Sequence, residues 1–323
     1  MGACLYFFEA FQNNKNPKYG QSAENILQEV YTFVHQNPVP TYFDNGLAGI
    51  AWGIHQLIKK GAVEGEANEL LEQIDNILFK VISEKSEELE FGLKRGLLGY
   101  FLYVLDRLTP LLGQPPTKGY REIFTSLAIL LLNRLHFLVE AQKANFSEPK
   151  QFNLFWDLPN YLSILAVIQD SRLLPEKTHR MLKDITPLVL STLPQNLGNC
   201  LNMYWAINRL AVPDWKPHTG LLQKRLIDAP LSGFGLNNKS LYVENGLAGL
   251  ILLDHQMKSD FGDFDGIFDQ KDNIWEAFIH LERSEYWEYL SNNLDHELGL
   301  LYGITGINFS ILHLSKEKTI IQK

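Results

Sequence analysis

The chain has 323 residues, of which 46% are hydrophobic and 20% charged, the make-up of a globular protein able to bury a large core. The 29 basic and 37 acidic residues leave a net charge of -8, and the absence of any basic tract argues against nucleic acid as a partner. Cys4 and Cys200 are too few for a disulfide framework, which favours a reducing, cytoplasmic setting.

From the start of the chain, Met1 to Phe11 holds an apolar run but has neither a basic start nor a small-residue cleavage site, so no secretory signal is read. Ala23 to His35 has the spacing of an amphipathic helix, and Asn37-Pro38-Val39-Pro40 reads as a turn. Asn45-Gly46-Leu47-Ala48-Gly49 then opens an apolar stretch that ends in His55-Gln56. Ala67 to Lys85 places Leu70, Leu71, Ile74, Ile77, Leu78, Val81 and Ile82 on a helical stripe, with Glu69, Glu72, Asp75 and Lys80 elsewhere. The acidic run Glu84, Glu87, Glu88 and Glu90 is the solvated end of that helix and its loop. Gly96-Leu97-Leu98-Gly99 opens Tyr100 to Leu108, and Gln114-Pro115-Pro116 makes the next turn. Ile123 to Val139 is strongly apolar, but Asn133, Arg134 and His136 interrupt it, so it is a buried helix and no membrane span is expected.

Asp157 to Ile168 and Gly198 to Leu210 are apolar segments that lack the full glycine pair, and Trp205 falls where Trp52 does if Asn202 matches Gly49. Leu174 to Leu193 is amphipathic, with Pro187 expected to kink or end it. Two hundred positions after the first copy, Asn245-Gly246-Leu247-Ala248-Gly249 repeats the same five residues, followed by His255-Gln256 at the same offset. Asp260 to Gly266 has the flavour of a calcium loop but lacks the bidentate glutamate and the spacing of an EF-hand. Asn273 to Leu290 is a further amphipathic helix, and Gly303-Ile304-Thr305-Gly306 opens the last apolar stretch, Ile307 to Leu314. With Gly2 counted as the second glycine of a shortened first unit, seven repeats result.

Glycines three apart lie on one helix face, and each costs about 1 kcal/mol relative to alanine inside a helix. Two in each repeat therefore mark a place where side chains do not fit. Asn45 and Asn245 are suited to N-cap the segments that follow. Segments apolar all round, alternating with one-sided helices, predict an inner ring inside an outer ring rather than an open solenoid. The expectation is an all-α single domain over 1-323, an α/α toroid of about seven inner/outer helix pairs, with no sustained strand pattern.

A Gly-x-x-Gly opening on alternate helices resembles the lanthionine synthetase C-like family, the cyclases of lanthipeptide biosynthesis. Asn45 to Leu57, Leu93 to Leu108, Val243 to Leu253 and Gly299 to Leu314 carry the likeness. The resemblance implies an α/α toroid and, in the cyclases, a zinc ion held by a cysteine from a Trp-Cys-Tyr-Gly segment and by a Cys-His pair before a later glycine. Zinc-bound thiolate of the peptide substrate adds to a dehydrated serine or threonine. Here Glu244-Asn245 precedes Gly246, Leu301-Tyr302 precedes Gly303, and Cys200 lies about one turn beyond the expected slot. The thiolate set is missing, so no metal and no cofactor are expected, since one cysteine with a carboxylate and an amide is a poor soft-ligand site.

The site residues implied are Asn45, Glu244, Asn245 and Tyr302, a polar rim for a peptide, against the plainer reading of caps and solvated loops. His55 and His255, nine residues past their repeats' first glycines, are candidates for substrate binding, against hydrogen-bonded packing. Asp254 points away from His255 on a helix, so the two form no ready dyad. Cys200 reads as an inert buried thiol. No phosphate loop, nucleophile elbow or HExxH occurs. The leading expectation is maturation of a ribosomally made peptide by precursor binding, with the precursor or a peptide-maturation enzyme as partner. The alternatives are an enzyme of remodelled chemistry, by thiol addition or glycoside processing, and a purely structural subunit.

Overall fold

The computed structural model describes residues 1–112, 119–228, 240–261 and 299–321, and every regular element among them is helical. In chain order these are α1 (Gly2–Asn14), α2 (Pro17–Gln36), α3 (Leu47–Lys59), α4 (Ala67–Leu70), α5 (Glu72–Lys85), α6 (Leu97–Leu112) and α7 (Tyr120–Glu140). Then come α8 (Asp157–Asp170), α9 (Pro175–Ser191), α10 (Leu197–Leu210), α11 (Lys216–Ile227), α12 (Leu247–Phe261) and α13 (Ile304–Ile321). The amphipathic segment 273–290 and most of the acidic loop 260–266 lie outside the described residues.

The glycine pairs do admit a close neighbour, but it is not an adjacent helix. A Cβ on Gly46 would stand 2.3 Å from the Pro40 carbonyl oxygen, and one on Gly49 would stand 1.9 Å from that of Phe43. Gly96 and Gly99 face the carbonyls of Glu90 and Leu93 at 2.5 and 2.2 Å. Gly246 and Gly249 face those of Ser240 and Val243 at 2.3 and 2.0 Å, and Gly306 faces that of Leu300 at 2.0 Å. In every case the carbonyl belongs to the residue six positions earlier. The incoming loop therefore folds back across the first helical turn, and any Cβ there would strike it.

That fold-back also satisfies the helix start, whose first N–H groups have no partner inside the helix. Leu47 N–H donates to Pro40 O at 2.8 Å and Ala48 N–H to Thr41 O at 3.4 Å. Leu97 donates to Glu90 O at 2.8 Å and Leu98 to Gly92 O at 3.0 Å, while Leu247 and Ala248 reach Ser240 O and Leu241 O at 3.1 and 3.2 Å. Loop backbone thus replaces the side-chain cap expected from Asn45 and Asn245. The N-cap of α3 is Gly46, in an extended conformation with no side-chain cap, and Asn245 Oδ1 instead accepts from Ser240 Oγ at 2.7 Å. Only the second glycine of each pair is truly helical. In α10 the cap is a side chain: Asn196 Oδ1 accepts from Gly198 and Asn199 N–H. This sets the register of α10 with Asn199, not Asn202, in the slot of Gly49.

Contacts divide the chain into two compact units: Met1 with 25–147 and 157–191, and 2–24 with 148–156 and 192–323. In the first, α3 packs on α6 and α6 on α8, and these three are flanked by α5, α7 and α9. Helix α6 is buried nearly all round, from Leu97 to Leu111. Helix α7 buries the face Phe124, Leu127, Leu131, Leu135 and Leu138 and leaves Ile123 and Phe137 exposed. By length and composition it is the one helix among the described residues able to cross a membrane. In the second unit α10, α12, α13 and α1 pack in succession, with α11 on α10. Among the described residues, three repeat helices fall in the first unit and four in the second.

Two outer helices depart from their expected form. The segment Ala67 to Lys85 breaks at Leu71, and its buried line is Leu71, Asp75, Leu78 and Ile82, while Leu70 and Ile77 are exposed. An aspartate displaces the aliphatics from the inner line because it has partners there: Tyr103 Oη and Arg107 Nη2 both donate to it, the latter at 2.8 Å. Pro187 neither ends nor interrupts α9, which runs from Pro175 to Ser191. Pro187 and Lys183, whose carbonyl loses its helical donor, are both exposed, so water can satisfy it.

Candidate functional site

The residues just before each glycine pair are held by the fold-back loops at the N-terminal ends of the inner helices. In the first unit, Phe43 and Asp44 N–H both donate to Lys94 O, at 3.1 and 3.0 Å, which ties the loop before α3 to the loop before α6. Asn45 is exposed beside them. Asp44 Oδ2 accepts from Arg95 at 3.3 Å, while its Oδ1 is buried without a hydrogen-bond partner. Thr41 and Tyr100 hydroxyls meet at 2.6 Å.

Asp157 is the first residue of α8, at the same end of the same unit. Burial pushes its carboxyl up to about 6, although the first turn of a helix normally favours a carboxylate. Phe91, Phe146 and Tyr161 form an aromatic cluster with centroids 5.4 to 6.2 Å apart. In the sequence Asp157 stands only as the start of a repeat without its glycine pair. An acidic residue leading an all-buried segment was the available signal.

In the second unit the corresponding loops bring Glu244, Asn245 and Tyr302 to one end. Glu244 is 7% exposed, its N–H donates to Leu301 O at 3.4 Å, and its carbonyl accepts from Leu154 at 2.7 Å. Tyr302 is exposed and meets Tyr242 edge-on at 6.1 Å. Beside them, the segment 148–156 is strapped down by Asn199, fully buried. Its Oδ1 accepts from Asn153 N–H at 3.0 Å, and its Nδ2 donates to Pro149 O and Gln151 O.

The two histidines do not join this rim. His255 lies eight residues beyond the start of α12, about 12 Å along the axis, and contacts His313 with Nδ1 to Nε2 3.2 Å apart. His313 in turn stands 3.9 Å from Glu9. His55, buried, has the same offset in α3 and binds Asp106 Oδ2 at 2.6 Å. Burial raises Asp106, but hydrogen bonds from His55 and Lys59 outweigh it and hold the carboxyl below its ordinary value. Both pairs join position nine of one repeat to position ten of the next inner helix. They are cross-repeat packing contacts.

Residues 1–157 match the family model described as lanthionine synthetase C-like protein. The match supports a likeness to this family over just under half of the chain. Among the described residues the fold class is all-α, as the repeat predicts. No curated protein matches the chain.

The residues just before the glycines offer no thiolate ligand set. Asp44-Asn45, Lys94-Arg95, Glu244-Asn245 and Leu301-Tyr302 supply oxygen and nitrogen donors but no sulfur. Both cysteines are buried elsewhere. Cys4 Sγ donates to Ala23 O at 3.3 Å, and burial pushes the Cys200 thiol up to about 11. A thiol that stays protonated is neither a ligand nor a nucleophile. These residues do not fit a thiolate-bound zinc.

Proposed function

We propose that this chain acts in the maturation of a ribosomally synthesised, lanthipeptide-like precursor by binding the peptide at the helix-N-terminal rim, without thiolate–zinc cyclase chemistry. The observation that carries the reading is that Glu244-Asn245 and Leu301-Tyr302, and no cysteine, stand just before the glycines of the second unit's fold-back loops. An exposed Tyr302, a Tyr242 ring beside it and a carboxylate at Glu244 suit a peptide that carries apolar and basic side chains. The partner is the precursor or the enzyme that dehydrates it, and the setting is cytoplasmic.

The test is calorimetric titration of the full chain with precursor peptides encoded beside its gene. Micromolar binding that weakens about tenfold in Tyr302→Ala or Glu244→Gln supports the proposal. No saturable binding to any of these peptides refutes it.

Asp157 favours a second reading, an enzyme of remodelled chemistry. A carboxyl that changes protonation near neutrality can accept a substrate thiol's proton as sulfur bonds to the β-carbon of a dehydroamino acid, and then protonate the α-carbon. The thioether formed then has the same atoms as thiol and alkene together. Turnover of a dehydrated precursor, abolished by Asp157→Asn, would select this reading.

A further inference from the structure

Far from the helix N-termini, the outer helices α7 and α9 of the first unit bring together an imidazole and two carboxylates. His136 and Glu140 stand one turn apart on α7 with Nε2 and Oε1 3.0 Å apart. Asp184 of α9 completes a group in which one ligand atom from each side chain lies within 4.8 Å of the others. We propose that His136, Glu140 and Asp184 form a surface site for one divalent transition-metal ion that clips α7 to α9.

An ordinary surface ion pair accounts for His136 and Glu140 but not for the third member. Asp184 comes from a different helix and brings a second negative charge to the same point. Glu140 is the last residue of α7, whose final turn carries no basic residue, so its carboxylate stands against the partial negative charge of the helix end. Two carboxylates so placed repel each other unless a cation lies between them. Lys177 feels the charge of Glu140, but its ammonium donates to Asn133.

The donor set also selects the kind of ion. One imidazole nitrogen with two carboxylate oxygens favours Zn2+, Co2+ or Ni2+ over Mg2+ and Ca2+, which prefer oxygen alone. His136 is mostly buried, at 15% exposure, so its ring is held in place before any ion arrives. Glu140 at 61% is open to water, which leaves room for solvent to complete the coordination. The two helices are already joined by the Lys177–Asn133 bond, so little ordering is needed on binding.

The experiment titrates the full chain, free of any affinity tag, with Co2+ followed by visible absorption and with Zn2+ followed by calorimetry and thermal melts. One ion per chain should bind and raise the melting temperature. His136→Ala and Asp184→Asn should each weaken binding by on the order of 10- to 100-fold or more and remove the thermal shift, while melting like the parent without metal. His313→Ala, at the histidine pair of the second unit, should leave the affinity unchanged. Absence of saturation, equal affinity in His136→Ala and Asp184→Asn, or loss of binding in His313→Ala instead would each overturn the assignment.

Discussion

The fold-back loops make a sharp prediction at Gly49, because the sign of an alanine substitution there is the reverse of its usual sign in a helix. A Cβ at this position would stand 1.9 Å from Phe43 O and 3.0 Å from Phe43 C, both backbone atoms that no rotamer change can move. The loop must lift, and the two bonds it makes to Leu47 and Ala48 N–H are lost or stretched. Two neutral backbone hydrogen bonds are worth about 1–3 kcal/mol together. Forced overpacking adds about 1–3 kcal/mol. Alanine's better helix propensity returns about 1 kcal/mol. The net is a destabilisation of ~3 kcal/mol, or a fall in melting temperature of about 6–12 °C at 2–4 °C per kcal/mol.

The control is Gly220 in α11, exposed and with nothing within 4 Å of an added Cβ. Gly220→Ala should stabilise by up to ~1 kcal/mol through propensity alone. Gly249→Ala, facing Val243 O at 2.0 Å, should behave like Gly49→Ala. Urea and thermal melts of the three variants decide the matter. If Gly49→Ala and Gly249→Ala match Gly220→Ala in sign, the glycines are not holding space for the loops and the account of the repeat fails.

Asp157 predicts a pH dependence. Its folded value of about 6 lies above the ordinary carboxylate value of about 3.9, so its contribution is fully present below pH ~4 and is lost as pH rises through 6. Relative to the parent, Asp157→Asn should gain about 1–2 kcal/mol in urea melts between pH 4 and pH 7.5, the full difference being reduced because the group is only partly buried; parallel pH profiles would contradict this. Arg107→Met strands Asp75, whose carboxyl burial already raises, and should cost about 3–5 kcal/mol, whereas Asp75→Leu with Arg107→Met should recover most of it in the same melts. Cys4 and Cys200, both buried with thiols pushed up by burial, should resist a thiol reagent in the native protein and both react in denaturant. Fast native reaction of either would contradict the buried placement.

Helices α3, α6, α12 and α13 were legible because each is announced by a glycine pair and an apolar run, signals that act within a dozen residues, whereas α8 and α10 show the apolar run without the pair. What those glycines are for was not legible. The atom each one avoids is a carbonyl six residues upstream, and nothing in the spacing of Gly46 and Gly49 says whether the intruder is a loop or a helix. Asp75 shows the same limit: periodicity placed it outward, and only the pairing with Tyr103 and Arg107 from α6 explains its burial. The register of α10 was misread because its glycine slot holds Asn199, whose side chain is occupied with the strap at 148–156. His55 and His255 stood out as a matched pair in the sequence, and each makes the same kind of contact to the next inner helix of its own unit, with Asp106 and with His313.

Fold and site are separable in this protein for a structural reason. The groups that cap α3, α6 and α12 are backbone carbonyls of the loop, packed against glycine, and neither depends on which side chain stands just before the glycine. Position 244 is fixed through its own N–H and C=O, bonded to Leu301 and Leu154, so a glutamate occupies it as readily as a cysteine. Side chains at these positions can therefore change without loss of a helix, while the loops keep presenting them at the helix N-termini of each unit. That arrangement places chemical variation on loops held by a rigid frame. It leaves residues 44–45, 94–95, 244–245 and 301–302 as positions where side chains can vary while the glycine-backed loops keep their course.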